Sequence, residues 1–305
     1  MKEKCDVAVL LVNFNNNEDT IDAVKSIQKS EDIEFPYIVV VDNDSNRKDI
    51  LEVLSFYPHL KVIYSDVNIG FGRANNLGLE WIYDNLESEY IFILNNDTIV
   101  EKTAINKLIL NIKKSSFDVE MVAPKILVES NKTEIWYGGG DFNFKKITPN
   151  IFSDKEAGYT EFASGCAMFF KTSSLKKYKG FDPFFFMYDE DVELSMRIKN
   201  SKNRILYTPE SIIYHKCQGS QIKENNISNN QLHPNHPGLI FYLNNTILNR
   251  RYIIKKHLSG TKKILATINH NIYWVMKAGQ YLLYGKIKAA LVVLKNLSRG
   301  LPAYI

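Results

Sequence analysis

Four carboxylates within five residues, Asp189, Glu190, Asp191 and Glu193, follow directly on the apolar run Phe184 to Tyr188, in a segment that closes on His215. Ionised carboxylates set against an apolar run need compensation, because burying an unpaired charge costs more than folding can offset. A metal, a sugar hydroxyl or an arginine must stand close by. If Asp191 opens a helix that continues through Leu194 and Ile198, then Glu190 and Asp191 lie at its positive end, which favours their ionised forms. An ionised carboxylate can act as a general base. The bland alternative is an N-cap with a surface acidic cluster paired to Arg197.

Such a group works only if other elements bring partners to it. The first half of the chain alternates short β-branched runs with amphipathic stretches: VAVLLVNF, IDAVKSIQ, YIVVVDN, ILEVLSFY, LKVIYSD, ANNLGLEWIYDNL and YIFILNND. Strands and helices alternating at that spacing predict an α/β fold with a mostly parallel sheet flanked by helices, and ligands bind at the carboxyl ends of such strands. Those ends carry Asn13 and Asn15, then Asp42, Asn43, Asp44 and Ser45, then Asp66 and Asn68, then Asn95, Asn96 and Asp97. Each cluster alone reads as a turn; four along one edge read as a site. Further on, VAPKILV and FASGCAMFFK read as strands and WYGGGDFNF as a turn. Ser164-Gly165 would let a ligand approach the backbone closely.

The 305 residues, 45% apolar, suffice for one large α/β domain with an appendage. Cys5, Cys166 and Cys217 are odd in number and far apart, which argues against a disulfide framework and for a reducing cytoplasm. The first apolar stretch reads as a strand, not a secretion signal, and no stretch reaches the roughly 18 apolar residues that cross a bilayer. After Glu224 there is no acid, yet eleven Lys and Arg follow, so the preceding part is net acidic. Residues 239–305 read as basic amphipathic helices, suited either to peripheral contact with a membrane or to packing on the body. Lysines interleaved with aliphatic residues at helical spacing do not suit a nucleic acid partner. The stretch KCQGSQIKENNISNNQLHPNHPG reads as a loop, a candidate lid; its His233 and His236 are each followed by proline and are not read as a metal pair. A dehydrogenase would need a glycine-rich turn after the first strand, and VNFNNNEDT has no glycine.

In order along the chain, VNFN, VVDNDS, NIGFGRANN, LNND, SGCAMFF and FDPFFFMYDEDVELSMRI with YTPESIIYH resemble family 2 glycosyltransferases of the GT-A fold, especially their bacterial rhamnosyltransferase-like branch. The resemblance covers roughly residues 6–220. It implies a GT-A mixed sheet with a Rossmann-like nucleotide-binding half at 1–115, an acceptor half with the polar loop at 116–238, and a helical appendage at 239–305. It also implies an inverting transfer of a sugar, best matched by L-rhamnose from dTDP-rhamnose, from a nucleoside diphosphate donor to a glycan acceptor or a lipid-linked glycan. A UDP-hexose donor stays open, as does a non-catalytic nucleotide-sugar-binding or scaffold role. The setting implied is the cytoplasm, either free or at the inner face of the cell membrane.

Matched position by position, Asp42 would meet the base, Asn13 and Asn43 would frame the nucleoside, and Arg73 and Asn76 would face the base or pyrophosphate. Asn95, Asn96 and Asp97 occupy the family's metal-binding triplet, whose first position is usually Asp. With one carboxylate, Asp97 would hold Mg2+ or Mn2+ together with His215 and leave the diphosphate to supply much of the coordination. Asp191 matches the catalytic base and Glu190 is its competitor. Tyr188, nearest the acids, is expected to stack on a sugar ring. A second departure is Asn244, where many relatives carry arginine.

Overall fold

The computed structural model describes residues 2–33, 36–46, 57–116, 118–143, 148–153, 156–217 and 230–301. The expected helix at ILEVLSFY, apart from Tyr57, and residues 218–229 of the expected lid lie outside the described residues. Contacts group the chain into two units. One comprises residues 1–141, 150–186 and 190–217, the other residues 142–149, 187–189 and 218–305.

The first unit is built on β1 (Glu3–Asn13), α1 (Asn17–Gln28), β2 (Tyr37–Asn43), β3 (Leu60–Ser65), α2 (Phe71–Asn85) and β4 (Leu86–Asn95). β1 pairs in parallel with β2 and β4, and β2 in parallel with β3. Val7 to Leu11 and Ile38 to Val41 are essentially inaccessible on both faces. That is why these strands read as unbroken apolar runs, as central parallel strands must when helices cover both sides.

The second half of the sheet uses β5 (Thr98–Val100), β6 (Val119–Val128), β7 (Asn131–Tyr137), β10 (Gly158–Thr160), β11 (Ala167–Lys171) and β12 (Arg204–His215), with α3 (Ala104–Lys114), α4 (Thr172–Tyr178) and α5 (Glu190–Asn200) between them. The sheet runs β10-β12-β6-β11-β4-β1-β2-β3, with β5 on β12 and β7 on β6. β11 is antiparallel to both β4 and β6, so the parallel order reverses there. Two expectations change. FASGCAMFFK is a strand only from Ala167, and WYGGGDFNF is a turn only at Gly138-Gly139, between β7 and a short ribbon of β8 (Gly140–Asn143) and β9 (Thr148–Ile151).

The second unit is helical: α6 (Leu239–His257), α7 (Gly260–Leu283) and α8 (Ile287–Ser298). Leu243 and Ile247 of α6, Trp274 and Tyr281 of α7 and Val293 of α8 form one core cluster. This unit also holds the short segment Met187–Asp189. Asn249 Nδ2 donates to the carbonyls of Met187 and Tyr188 at 2.9 and 2.8 Å. Arg250 stands 3.6 Å from the Asp189 carboxylate, both almost fully buried. Tyr188 and Asp189 both have left-handed backbone angles, φ 69° and 62°. Such conformations persist in non-glycine residues only when surrounding bonds over-determine them, as the α6 contacts do here.

Candidate active site

Three strand ends lie side by side, because the register sets Asn13 opposite Asp42 and Val12 opposite Asn95. Asn13 is fully buried, and its Nδ2 reaches Asn17 Oδ1, Asp42 Oδ2 and Ser45 Oγ at 2.7, 2.8 and 2.9 Å. Its Oδ1 accepts from Thr20 Oγ1 at 2.8 Å. Asp42 Oδ1 accepts the Ser45 N–H at 2.9 Å. Asn96 joins this network by donating to Thr20 Oγ1 at 2.9 Å. Asn43 ties down the turn before α2, its Oδ1 taking the Ile69 N–H at 2.9 Å and its Nδ2 giving to Asn68 at 3.0 Å. The polar edge is thus a preorganised lattice of amides, hydroxyls and one carboxylate.

β12 returns beside β5 with His215 opposite Thr98, and the Lys216 N–H donates to the Asp97 carbonyl at 2.8 Å. This brings His215 Nε2 to 3.1 Å from Asp97 Oδ2. Its Nδ1 lies 3.2 Å from Cys217 Sγ, and the Trp136 ring packs edge-on at 4.6 Å between centroids. Burial pushes the imidazole pKa down, but the bonds to Asp97 and Cys217 and the charge of Asp97 outweigh it and raise the value to about 9. Two ligand atoms at right angles on one ion, each bonded at about 2.1 Å, also stand about 3 Å apart. The pair therefore fits a divalent cation, which would take the place of the imidazolium proton. Asn95 Nδ2 and Oδ1 are uncharged, and the Asn96 amide is turned into the Asn13 network. Among the described residues no third His, Cys, Asp or Glu completes a cluster.

The acidic segment is anchored by α2. Asn76 grips one residue at both ends, accepting the Phe181 N–H and donating to the Phe181 carbonyl, each at 2.8 Å. Arg73 Nε donates to the Pro183 carbonyl at 2.7 Å, and the Phe71 N–H to that of Phe186 at 2.9 Å. Gly70, at φ 84°, leaves room for this approach: a Cβ there would stand 2.2 Å from the Phe186 oxygen. Arg73 and Asn76, expected at the base or pyrophosphate, bond the backbone of the segment that leads to the acids.

The four acids have different fates. Glu193 is fully buried and pairs with Arg197 at 2.8 Å, while Arg197 also donates to the carbonyls of Tyr178 and Gly180. Asp189 faces Arg250, and burial pushes its carboxyl above the usual range against the pull of that guanidinium. Glu190 is buried at the start of α5. Asp191 alone of the four is partly exposed. The Gly165 N–H donates to its Oδ2 and the Val192 N–H to its Oδ1, both at 2.8 Å. Gly165, expected to admit a ligand, admits this side chain: a Cβ on it would meet Asp191 Cβ at 3.3 Å.

The next peptide group closes the arrangement, since the Cys166 carbonyl accepts the Asn95 N–H at 2.8 Å. Adjacent residues of one turn therefore touch Asp191 on one side and the strand end leading to Asp97 on the other. The buried Cys166 thiol is raised well above its ordinary pKa, first by burial and then by the charges of Asp97, Cys217 and Asp191 together. Tyr188 belongs to the helical unit, its ring edge-on to Tyr242 at 5.2 Å and Phe241 at 6.0 Å.

Residues 8–178, more than half of the chain, match the family model described as "Glycosyl transferase family 2". The chain belongs to glycosyl transferase family 2. Among the proteins it resembles are the low-salt glycan biosynthesis hexosyltransferase Agl10 of Haloferax volcanii, 26% identical over 210 residues, and the rhamnosyltransferase WbbL of Escherichia coli K12, 24% identical over 218. Each match covers 66% of this chain, with 64% of Agl10 and 80% of WbbL, so less than two thirds of Agl10 is spanned. Solved structures agree on the GT-A fold. GalNAc-T7 with UDP, GalNAc and Mn2+ gives a TM-score of 0.59 at 17% identity, covering 92% of this chain and 58% of that one. The Pyrobaculum calidifontis mannosyltransferase PcManGT with GDP-Man and Mn2+ gives 0.56 at 13% identity, covering 98% and 77%. The family match stops before α5, so Asp191 and His215 stand on their geometry. Trp136 and Thr20 are not marked by the sequence, and Ser45 and Cys217 stand out there only as a strand-end polar residue and an odd cysteine, because each acquires its partner only through strand pairing or the β1–α1 turn.

Proposed function

We propose that the protein is an inverting hexosyltransferase that uses a nucleoside diphosphate sugar, with Asp191 as its general base. The observation that carries this reading is the turn at Gly165-Cys166, which links Asp191 to the strand end bearing Asp97, itself paired with His215. In the transfer the acceptor hydroxyl attacks the anomeric carbon from the face opposite the diphosphate. Asp191 takes the hydroxyl proton as the new C–O bond forms and the bond to the diphosphate breaks, which inverts the centre. The two N–H donors on Asp191 hold its carboxylate in one orientation. Asp97 and His215 would hold Mg2+ or Mn2+, which when bound offsets the charge that develops on the leaving diphosphate. The lattice at Asn13, Asp42 and Asn43 would frame the nucleoside without rearranging. The donor we favour is dTDP-L-rhamnose, on the motif resemblance and the rhamnosyltransferase WbbL among the relatives; the acceptor is a growing glycan, carried on a lipid diphosphate.

A transfer assay with Mn2+ and a panel of nucleotide sugars tests this. Asp191→Asn keeps an oxygen for the Gly165 N–H but cannot take a proton, so turnover falls by about 10² to 10⁴ while donor affinity holds. Persisting turnover in Asp191→Asn together with a dead Glu190→Gln would move the base to Glu190. Full activity in chelator would remove the cation. A non-catalytic nucleotide-sugar binder is favoured by one feature, Asn95 at the first position of the triplet; donor hydrolysis by the wild type rules it out.

A further inference from the structure

In α7 the face opposite the core is also apolar. Trp274, Ala278 and Tyr281 point into the helical unit's core. Across the helix, Ile264, Ile268, Ile272, Met276 and Leu283 recur every three to four residues or a small multiple of that, and all are exposed, Met276 by 70% and Leu283 by 91%. α8 repeats the pattern, with Val293 inward and Ile287 and Leu291 exposed by about 60%. Both outward faces point away from one shared core. Surface this apolar is rare on a protein that meets only water.

The charge carried by these helices has one sign. Lys262 and Lys277 lie in α7, Lys286 and Lys288 at the start of α8, and no Asp or Glu occurs after Glu224. A second copy would bring lysines against lysines, and a nucleic acid would leave the aliphatic stripe bare. An anionic bilayer surface meets both demands: acyl chains receive the stripe while lysine stems lie along it and place their ammonium groups among the headgroups. No described helix is long and apolar enough to cross a membrane, and α7, 24 residues long, would lie in the plane of the interface. We propose that the outward faces of α7 and α8 form a docking surface for an anionic lipid bilayer. This docking is independent of the sugar reaction, although a lipid-carried acceptor would give it a use.

Flotation of the full chain with vesicles, without any sugar nucleotide, tests it. The protein should float with phosphatidylcholine vesicles containing phosphatidylglycerol, far less with phosphatidylcholine alone, and progressively less as salt rises. Lys286→Gln with Lys288→Gln should weaken flotation roughly tenfold or more, and Leu283→Asp or Met276→Asp should abolish it. Circular dichroism and donor turnover of these variants should match wild type, which separates lost docking from lost folding. Absence of flotation with anionic vesicles, or flotation indifferent to salt and to all four substitutions, overturns the proposal. A concentration-dependent dimer that Met276→Asp dissociates, with no vesicle binding, assigns the face to a second copy instead.

Discussion

The sheet unit and the helical unit treat apolar side chains in opposite ways. Along β1 and β2 nearly every aliphatic residue is sealed on both faces, and the polar groups are gathered at the strand ends. Along α7 one apolar face is sealed and the other is left open. The first arrangement completes a body that needs only water around it and a ligand at its edge. The second completes itself only against a further surface. Charge differs too, since α6, α7 and α8 carry no acid at all.

The comparison can be broken most forcefully within the helical unit. Arg250→Met leaves the Asp189 carboxylate buried without its partner and should cost about 3–5 kcal/mol by denaturant unfolding; adding Asp189→Leu should return most of it. If the single change costs nothing, the pair does not hold Met187–Asp189. Next comes the contrast itself. Leu11→Ala in β1 should cost about 2–5 kcal/mol, whereas Leu283→Ala should stay within about 0.5 kcal/mol. Equal costs would mean that the open face of α7 is covered within the monomer.

A pH series sharpens the same contrast through two histidines. His270 accepts the Trp274 Nε1–H at 3.0 Å and is held at a pKa of about 4, chiefly by burial. The unfolded chain, near 6.5, therefore binds its proton first, so stability is level above pH 6.5 and declines as pH falls toward 4, by up to about 3 kcal/mol. His215 has the opposite sign, with a folded pKa of about 9. In chelator its contribution is whole below pH 6.5 and is lost as pH rises through 9. Thermal unfolding from pH 4 to 10, with His270→Gln as control, reads both; acid sensitivity unchanged in that variant removes His270 from the account.

Much of this was legible in sequence. Strands buried on both faces announce themselves as apolar runs, so β1, β2 and β4 and the polar residues at their ends were read directly. The acid quartet was visible too, but which acid is accessible was not. Glu193 and Asp189 are neutralised by Arg197 and Arg250, and only three-dimensional pairing shows that this leaves Asp191 partly open. Asn76 illustrates the same blindness, since its partner Phe181 lies 105 residues away. β5 carries too few residues for a periodic signal and β7 opens on four exposed polar residues, yet β5 is what sets Asp97 beside His215.

The 3.1 Å contact between Asp97 and His215 bears on how the protein can be handled. The two side chains neutralise each other, so the ion-free protein carries no repulsion there that would loosen β12. The fold should therefore survive preparation in chelator and accept different cations afterwards, making ion choice an experimental variable rather than a condition of obtaining the protein at all.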